Sequence, residues 1–132
     1  MLIADDEPAI LRLASTALSR HGYDVLSVAD GASALRACEQ REGPIYLALL
    51  DIMMPYLTGP ELYSCLNGSI PKSKVLFMSG YRPEQIDAPI VTSTNFMAKP
   101  FRLIALVERV NEILGNADVC VLLDNDVKPA RA

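Results

Sequence analysis

The chain contains one histidine, His21, and three cysteines, Cys38, Cys65 and Cys120, with no C-x-x-C pair among them. A lone histidine leaves no support for histidine metal clusters or for Ser-His and Cys-His catalysis. It sits beside Gly22 at an expected helix end, where a cation suits the helix dipole. An odd, widely spaced set of cysteines fits neither a disulfide framework nor a zinc site and agrees with a reducing compartment. Cys38 and Cys65 fall within apolar helical patterns and read as small buried hydrophobes. Although 51% of the 132 residues are apolar, no run approaches the roughly 20 apolar residues that span a bilayer. The start, Met1-Leu2-Ile3-Ala4 followed by Asp5-Asp6-Glu7, lacks the basic residues and apolar stretch of a secretory signal. The expectation is a soluble, cytoplasmic chain with no membrane partner. Basic residues are scattered and the formal charge is −4, which argues against direct nucleic-acid binding.

The length suits one domain with one core. Short apolar runs alternate with helix-length amphipathic segments. Leu2–Ala4 reads as a first strand, and Pro8 opens a helix with Ile10, Leu11, Ala14, Ala17 and Leu18 on one face and Gly22 at its end. Val25–Ala29 is a second strand, and Asp30 caps a helix burying Ala34, Leu35 and Cys38. After a break at Gly43-Pro44, Ile45–Leu50 is a nearly continuous apolar run ending on Asp51, as expected of a central parallel strand. Thr58 and Glu61 have capping-box spacing for a third helix with Leu62, Cys65 and Leu66 facing inward. Val75–Met78 and Asn95–Ala98 complete the strands. Pro100–Leu114 reads as the last helix, with Phe101, Ile104, Val107, Val110 and Leu114 on its apolar side and Gly115 as its stop. Between the last two strands, Pro83, Pro89 and a Thr-Ser-Thr run predict a short or irregular fourth helix. The pattern is βα five times over, an α/β fold with a parallel sheet covered by helices on both faces. Residues 1–115 form this domain. The remainder, 116–132, with its apolar run Val119–Leu123, reads as a tail, an added strand, a docking segment or a linker.

Ligands of open parallel sheets bind at the carboxyl ends of strands. Here those ends carry Asp5-Asp6, Asp51, Ser79-Gly80 and Lys99-Pro100, which the fold would gather on one edge. Taken singly, each has an ordinary reading: helix capping for the acids, a strand end for Asp51, a solvated charge for Lys99. Together they describe chemistry. Three crowded carboxylates repel unless neutralised, and Mg²⁺ takes one or two carboxylates with waters and phosphate oxygens. One carboxylate can then attack phosphorus, giving an aspartyl phosphate. Lys99 and the Ser79 hydroxyl can hold two phosphoryl oxygens, while Gly80 leaves room for the group and offers a backbone N–H.

These residues lie in Leu2-Ile3-Ala4-Asp5-Asp6-Glu7-Pro8, Leu50-Asp51-Ile52-Met53-Met54-Pro55, Gly59-Pro60-Glu61-Leu62, Phe77-Met78-Ser79-Gly80-Tyr81 and Phe96-Met97-Ala98-Lys99-Pro100-Phe101. The ordered set, covering roughly Met1 to Leu114, resembles the response-regulator receiver domains of two-component signalling. The resemblance implies a flavodoxin-like, doubly wound sheet of order 2-1-3-4-5. It implies that Asp51 accepts a phosphoryl group from a histidine kinase or phosphotransfer protein and that a downstream protein effector reads the result. Mg²⁺ would be held by Asp6, Asp51 and the Met53 backbone carbonyl, with Asp5 assisting through water. Ser79 matches the switch hydroxyl, Lys99 the phosphoryl-binding lysine and Phe96 the aromatic rotamer switch, acting here by packing because it has no hydroxyl. The domain would be a phosphoacceptor rather than an enzyme, assisting its own phosphorylation and dephosphorylation. A possible homodimer surface across helix four, strand five and helix five would be altered by a weak fourth helix. Tyr56, where the family favours a small or turn-forming residue, predicts a bulkier loop. The resemblance and the chemistry also predict a cis Lys99-Pro100 bond that turns the ammonium towards Asp51.

An enzyme reading, a haloacid-dehalogenase-type phosphatase, needs an acid/base aspartate two residues after its nucleophile. That position is Met53, which transfers no proton. A start inside strand one and the Phe-Met-Ser-Gly-Tyr stretch suit a receiver belonging to a hybrid histidine kinase. A stand-alone regulator is an equal expectation.

Overall fold

The computed structural model describes residues 1–40, 45–66, 70–71, 74–81, 85–86 and 88–115. The Gly43-Pro44 break, Pro83, Cys120 and the whole segment 116–132, with Val119–Leu123, lie outside the described residues.

Among the described residues five strands form one parallel sheet: β1 (Leu2–Ala4), β2 (Leu26–Val28), β3 (Ala48–Asp51), β4 (Val75–Ser79) and β5 (Phe96–Ala98), in the order β2-β1-β3-β4-β5. Among the described residues four helices accompany it: α1 (Pro8–Arg20), α2 (Gly31–Gln40), α3 (Gly59–Cys65) and α4 (Leu103–Leu114). The expected α/β architecture and strand order are those observed. Every residue of β1, β3 and β4 is buried, whereas β2 and β5 at the edges are partly open. Alternate residues feed two cores. One holds Leu2, Ala4, Leu50 and Phe77 with Ala34 of α2 and Leu62 of α3; the other holds Ile3, Leu49 and Met78 with Ala14 and Leu18 of α1 and Val107 of α4. A large apolar side chain buried this way contributes about 2 kcal/mol, so stability is concentrated in the central strands.

The helix ends follow local chemistry. Pro8 stands in the first turn of α1, and Gly22 at φ 88° supplies the left-handed turn after it. The His21 ring hydrogen-bonds the Ala17 carbonyl at 2.8 Å. The Asp30 carboxylate accepts from the Ser33 backbone N–H at 2.7 Å, and hydrogen bonds from the Ser33 backbone and side chain hold its pKa below the usual value. At α3 the Thr58–Glu61 capping box is complete. Gly115, at φ 74°, ends α4, where the Lys74 ammonium donates to the Ile113 carbonyl at 2.7 Å.

Three expectations need correction. The last helix begins at Leu103 rather than Pro100, because residues 99–102 form the turn that leads away from β5. Phe101 still packs into the core, but Ile104 is 45% exposed and Leu106 is buried in its place. Cys65 is exposed, since α3 ends there after two turns, while Cys38 is partly buried. Between β4 and β5 the only helical segment of three or more residues among the described ones is a 3-10 turn, Ser93–Asn95, so the irregular fourth segment is as expected. Tyr56, fully exposed at φ 70°, adopts a backbone conformation unusual for a side chain of its size.

Candidate functional site

Parallel pairing puts the carboxyl ends of β1, β3, β4 and β5 on one edge. Ile52, just past β3, donates to the Met78 carbonyl at 2.9 Å, and Lys99, just past β5, donates to the Ser79 carbonyl at 2.8 Å. These two bonds carry the ladder one residue beyond the strands and bring Asp51, Ser79 and Lys99 side by side. The Lys99-Pro100 bond is cis. A cavity of about 450 Å³ opens there, lined by Asp6, Glu7, Asp51, Met53, Ser79, Gly80, Tyr81 and Lys99 among others. A second cavity of about 550 Å³ shares Met53 and Tyr81 with it. Its one carboxylate among the described lining residues, Glu61, is committed to capping α3, so the reactive groups belong to the smaller cavity.

Asp5 and Asp51 are buried and Asp6 is exposed, yet one carboxylate oxygen from each lies within 4.8 Å of the others. The Lys99 ammonium sits 2.8 Å from Asp5 Oδ2, 3.0 Å from Glu7 Oε1 and 3.4 Å from Asp51 Oδ1. Asp5 Oδ1 accepts from the Glu7 backbone N–H at 2.9 Å. Asp5 Oδ2 is buried, with the Lys99 ammonium against it. Burial, the Asp5 charge and a hydrogen bond shared with Asp6 push the Asp51 carboxyl up to about 7, against the opposing pull of Lys99. For Lys99, burial works against the charge, but the Asp5 and Glu7 carboxylates and the field of Asp51 outweigh it and raise its pKa.

The Ser79 hydroxyl is buried and accepts from the Tyr81 backbone N–H at 3.0 Å. Phe96 pairs with Phe77 across β4 and β5, one strand repeat before Ser79, and packs into the same core as Phe77. A Cβ on Gly80 would meet no atom within 4 Å, so space is left at this wall of the cavity. Every residue anticipated from the strand ends is therefore gathered here except Phe96, which lies behind the site.

Two participants were not singled out. Glu7 lies one residue past the acidic pair at the strand end, and as the third acidic residue in succession it signals that more charge collects at this edge. Gly59 is the other. A Cβ there would lie 2.6 Å from the Asp51 carbonyl oxygen and 3.2 Å from Ile52 Cα, both backbone atoms that cannot swing aside. Gly59→Ala is expected to destabilise the domain by about 2 kcal/mol and to shift Asp51. Urea unfolding and the Asp51 amide NMR signal would check both effects.

The profile described as the response regulator receiver domain matches residues 1–111. The chain belongs to the response-regulator receiver domain family. This receiver domain is 32% identical over 120 residues to Sensor kinase CckA of Brucella abortus, covering 89% of the chain but 13% of that protein. It is 31% identical over 116 residues to the response regulator receiver protein CpdR of the same organism, covering 86% of the chain and 95% of CpdR. Among solved structures it resembles the response regulator TrrA of Thermotoga maritima, crystallised in complex with Mg²⁺-BeF. That likeness has a TM-score of 0.67 at 27% identity and covers 85% of this receiver domain and 96% of TrrA. The chain spans about half the length, or less, of the first curated relatives it matches. Its function is phosphoryl acceptance in two-component signalling, and the phosphatase alternative is not favoured.

Proposed function

We propose that Asp51 is the phosphoryl acceptor and that phosphorylation requires Mg²⁺ held by Asp6, Asp51 and the Met53 backbone carbonyl, with Asp5 assisting through water. The observation that carries this reading is the Asp5–Asp6–Asp51 cluster at the end of β3 with one ammonium against it. The residues fit a hard divalent cation. They offer only oxygen ligands, and three carboxylates converge with one oxygen from each within 4.8 Å of the others. When bound, the ion neutralises the carboxylates and shares charge with the phosphoryl oxygens.

The Asp51 carboxylate attacks phosphorus, and the donor's bond to phosphorus breaks as the new O–P bond forms. The leaving group, imidazole for a phosphohistidine donor, departs with the electron pair and takes up a proton. Lys99 stabilises the negative charge spread over the phosphoryl oxygens, and the Ser79 hydroxyl and Gly80 backbone N–H face the same space. The donor is a histidine kinase or phosphotransfer protein. The domain acts as an acceptor that assists this exchange rather than as an enzyme with a substrate of its own. The likeness to both CckA and CpdR supports a receiver within a hybrid kinase as much as a stand-alone regulator. We assign the domain to residues 1–115, with 116–132 as a following segment, and place it in the cytoplasm. Among the described residues no helix is long and apolar enough to cross a membrane.

The test is intact mass after incubation with phosphoramidate. One phosphoryl group is expected with Mg²⁺ and none with EDTA, and labelling undiminished by EDTA would overturn the metal requirement.

The output is a switch coupling Ser79 to Phe96. To meet the phosphoryl group, the Ser79 hydroxyl gives up its bond from the Tyr81 N–H and draws the Gly80–Tyr81 loop inward, freeing space for Phe96. A protein effector then reads the face near β4 and β5. With Mg²⁺ and beryllofluoride, backbone amide shifts are expected to change from Ser79 through Phe96. Changes confined to residues touching Asp51 would refute the coupling.

A further inference from the structure

Glu7 is the N-cap residue of α1, yet its side chain makes no capping hydrogen bond. It reaches across the cavity and accepts from the Lys99 ammonium at 3.0 Å, bridging positions 92 residues apart in the chain. Its carboxylate is largely exposed, whereas that of Asp5 is buried. We infer that Glu7 is a positioning residue that ties the Lys99 ammonium to the cavity rim and competes for it with the incoming phosphoryl group. This rests on the reading of Asp51 as the acceptor and Lys99 as its phosphoryl ligand.

Two opposite effects of Glu7 can be weighed. It could help by orienting Lys99, but Asp5 at 2.8 Å and Asp51 at 3.4 Å already hold the ammonium. An exposed ion pair adds little orientation beyond that. It could hinder in two ways. A donor N–H used on Glu7 is not available to a phosphoryl oxygen, and the Glu7 charge repels an anionic group entering the same cavity. Among the described residues, four carboxylates (Asp5, Asp6, Glu7 and Asp51) face one ammonium there. A divalent cation bound to the aspartates would still leave one negative charge in excess, and Glu7 is the carboxylate with no part in the proposed metal site. Competition therefore outweighs orientation. Each phosphorylation has to draw Lys99 off Glu7, which disfavours small anionic donors in particular.

The experiment compares the full chain with Glu7→Gln, Glu7→Asp and a control with the same charge change as Glu7→Gln, Glu39→Gln on the exposed end of α2. Phosphorylation by acetyl phosphate, in which acetate leaves as the Asp51 O–P bond forms, is followed by intact mass across donor concentrations at fixed ionic strength and saturating Mg²⁺. Beryllofluoride half-saturation, followed by NMR, gives a readout independent of turnover. Glu7→Gln is expected to lower the half-saturating concentration of both acetyl phosphate and beryllofluoride by about three- to tenfold, with little change in the maximal rate. Glu7→Asp keeps the charge but falls one methylene short of Lys99, so it is expected to recover part of the gain. Glu39→Gln is expected to do nothing. Slower or unchanged labelling in Glu7→Gln, a Glu7→Asp variant indistinguishable from the parent, or an equal gain from Glu39→Gln would each overturn the tether while leaving Asp51 as acceptor. Failure of the unmodified chain to label, or labelling that survives Asp51→Asn, would instead overturn the acceptor reading and the tether with it.

Discussion

Asp51→Asn is expected to gain no mass from phosphoramidate while unfolding at higher urea than the parent when both are metal-free at pH 8. Loss of labelling follows from removing the nucleophilic carboxylate at the end of β3. The stability gain follows from the raised pKa. The unfolded chain ionises Asp51 near 3.8, the folded domain only near 7. Well below pH 3.8 both states are protonated and the group costs nothing. As pH rises between these values the unfolded state releases its proton first, so the folded state loses relative stability, and above pH 7 the loss is complete. Allowing for screening through the open cavity, it amounts to about 2 kcal/mol at pH 8. The Asn variant escapes it, so its advantage is expected to shrink towards nothing at pH 4. Saturating Mg²⁺ should narrow the gap at pH 8, because it stabilises the carboxylate form that only the parent has. Urea melts at pH 4 and pH 8, with and without Mg²⁺, would check the pattern. An Asn variant less stable than its parent at pH 8 without metal would refute the electrostatic account.

Lys99→Ala is expected to lower the phosphorylation rate by about 10²- to 10³-fold, the usual scale for losing one positioned charge stabiliser. It removes the cation from a cluster in which Asp5 and Asp51 are both buried. Stability should suffer as well, by about 2 kcal/mol at pH 8, because buried carboxylates left without a partner are costly. At pH 5 the penalty is expected to be smaller, since Asp51 is already protonated there in the folded state. Single-turnover labelling and paired melts at the two pH values would measure both effects. Equal destabilisation at pH 5 and pH 8 would point to lost packing of the lysine stem instead of lost charge.

The proposed acceptor site was legible because a parallel sheet converts sequence into placement. Apolar runs announce strands, and the residue that follows each run must sit on the carboxyl edge. Asp5, Asp6, Asp51, Ser79 and Lys99 could be assembled on that basis alone. Contacts made by side-chain reach or by close backbone approach were not legible. Glu7 meets Lys99 only because two strands distant in sequence end side by side, and no periodicity encodes that. Gly59 matters because α3 starts against the carbonyl of Asp51, a proximity that exists only after folding. At the last helix, Pro100 gave a helix-start signal three residues too early, since the chain first uses residues 99–102 to turn away from β5. Cys65 looked inward by helical spacing, but the helix stops there, and a terminal residue is not bound by the face its predecessors define.

The pairing of Lys99 with Glu7 and Asp5 closes the chain on itself, joining groups 92 and more residues apart. A nascent or clipped polypeptide that lacks the fifth strand still carries the three aspartates but has no ammonium to set against them. Efficient phosphoryl transfer therefore waits on the docking of the last strand of the sheet, because that strand brings the cation to carboxylates set in place by the first and third.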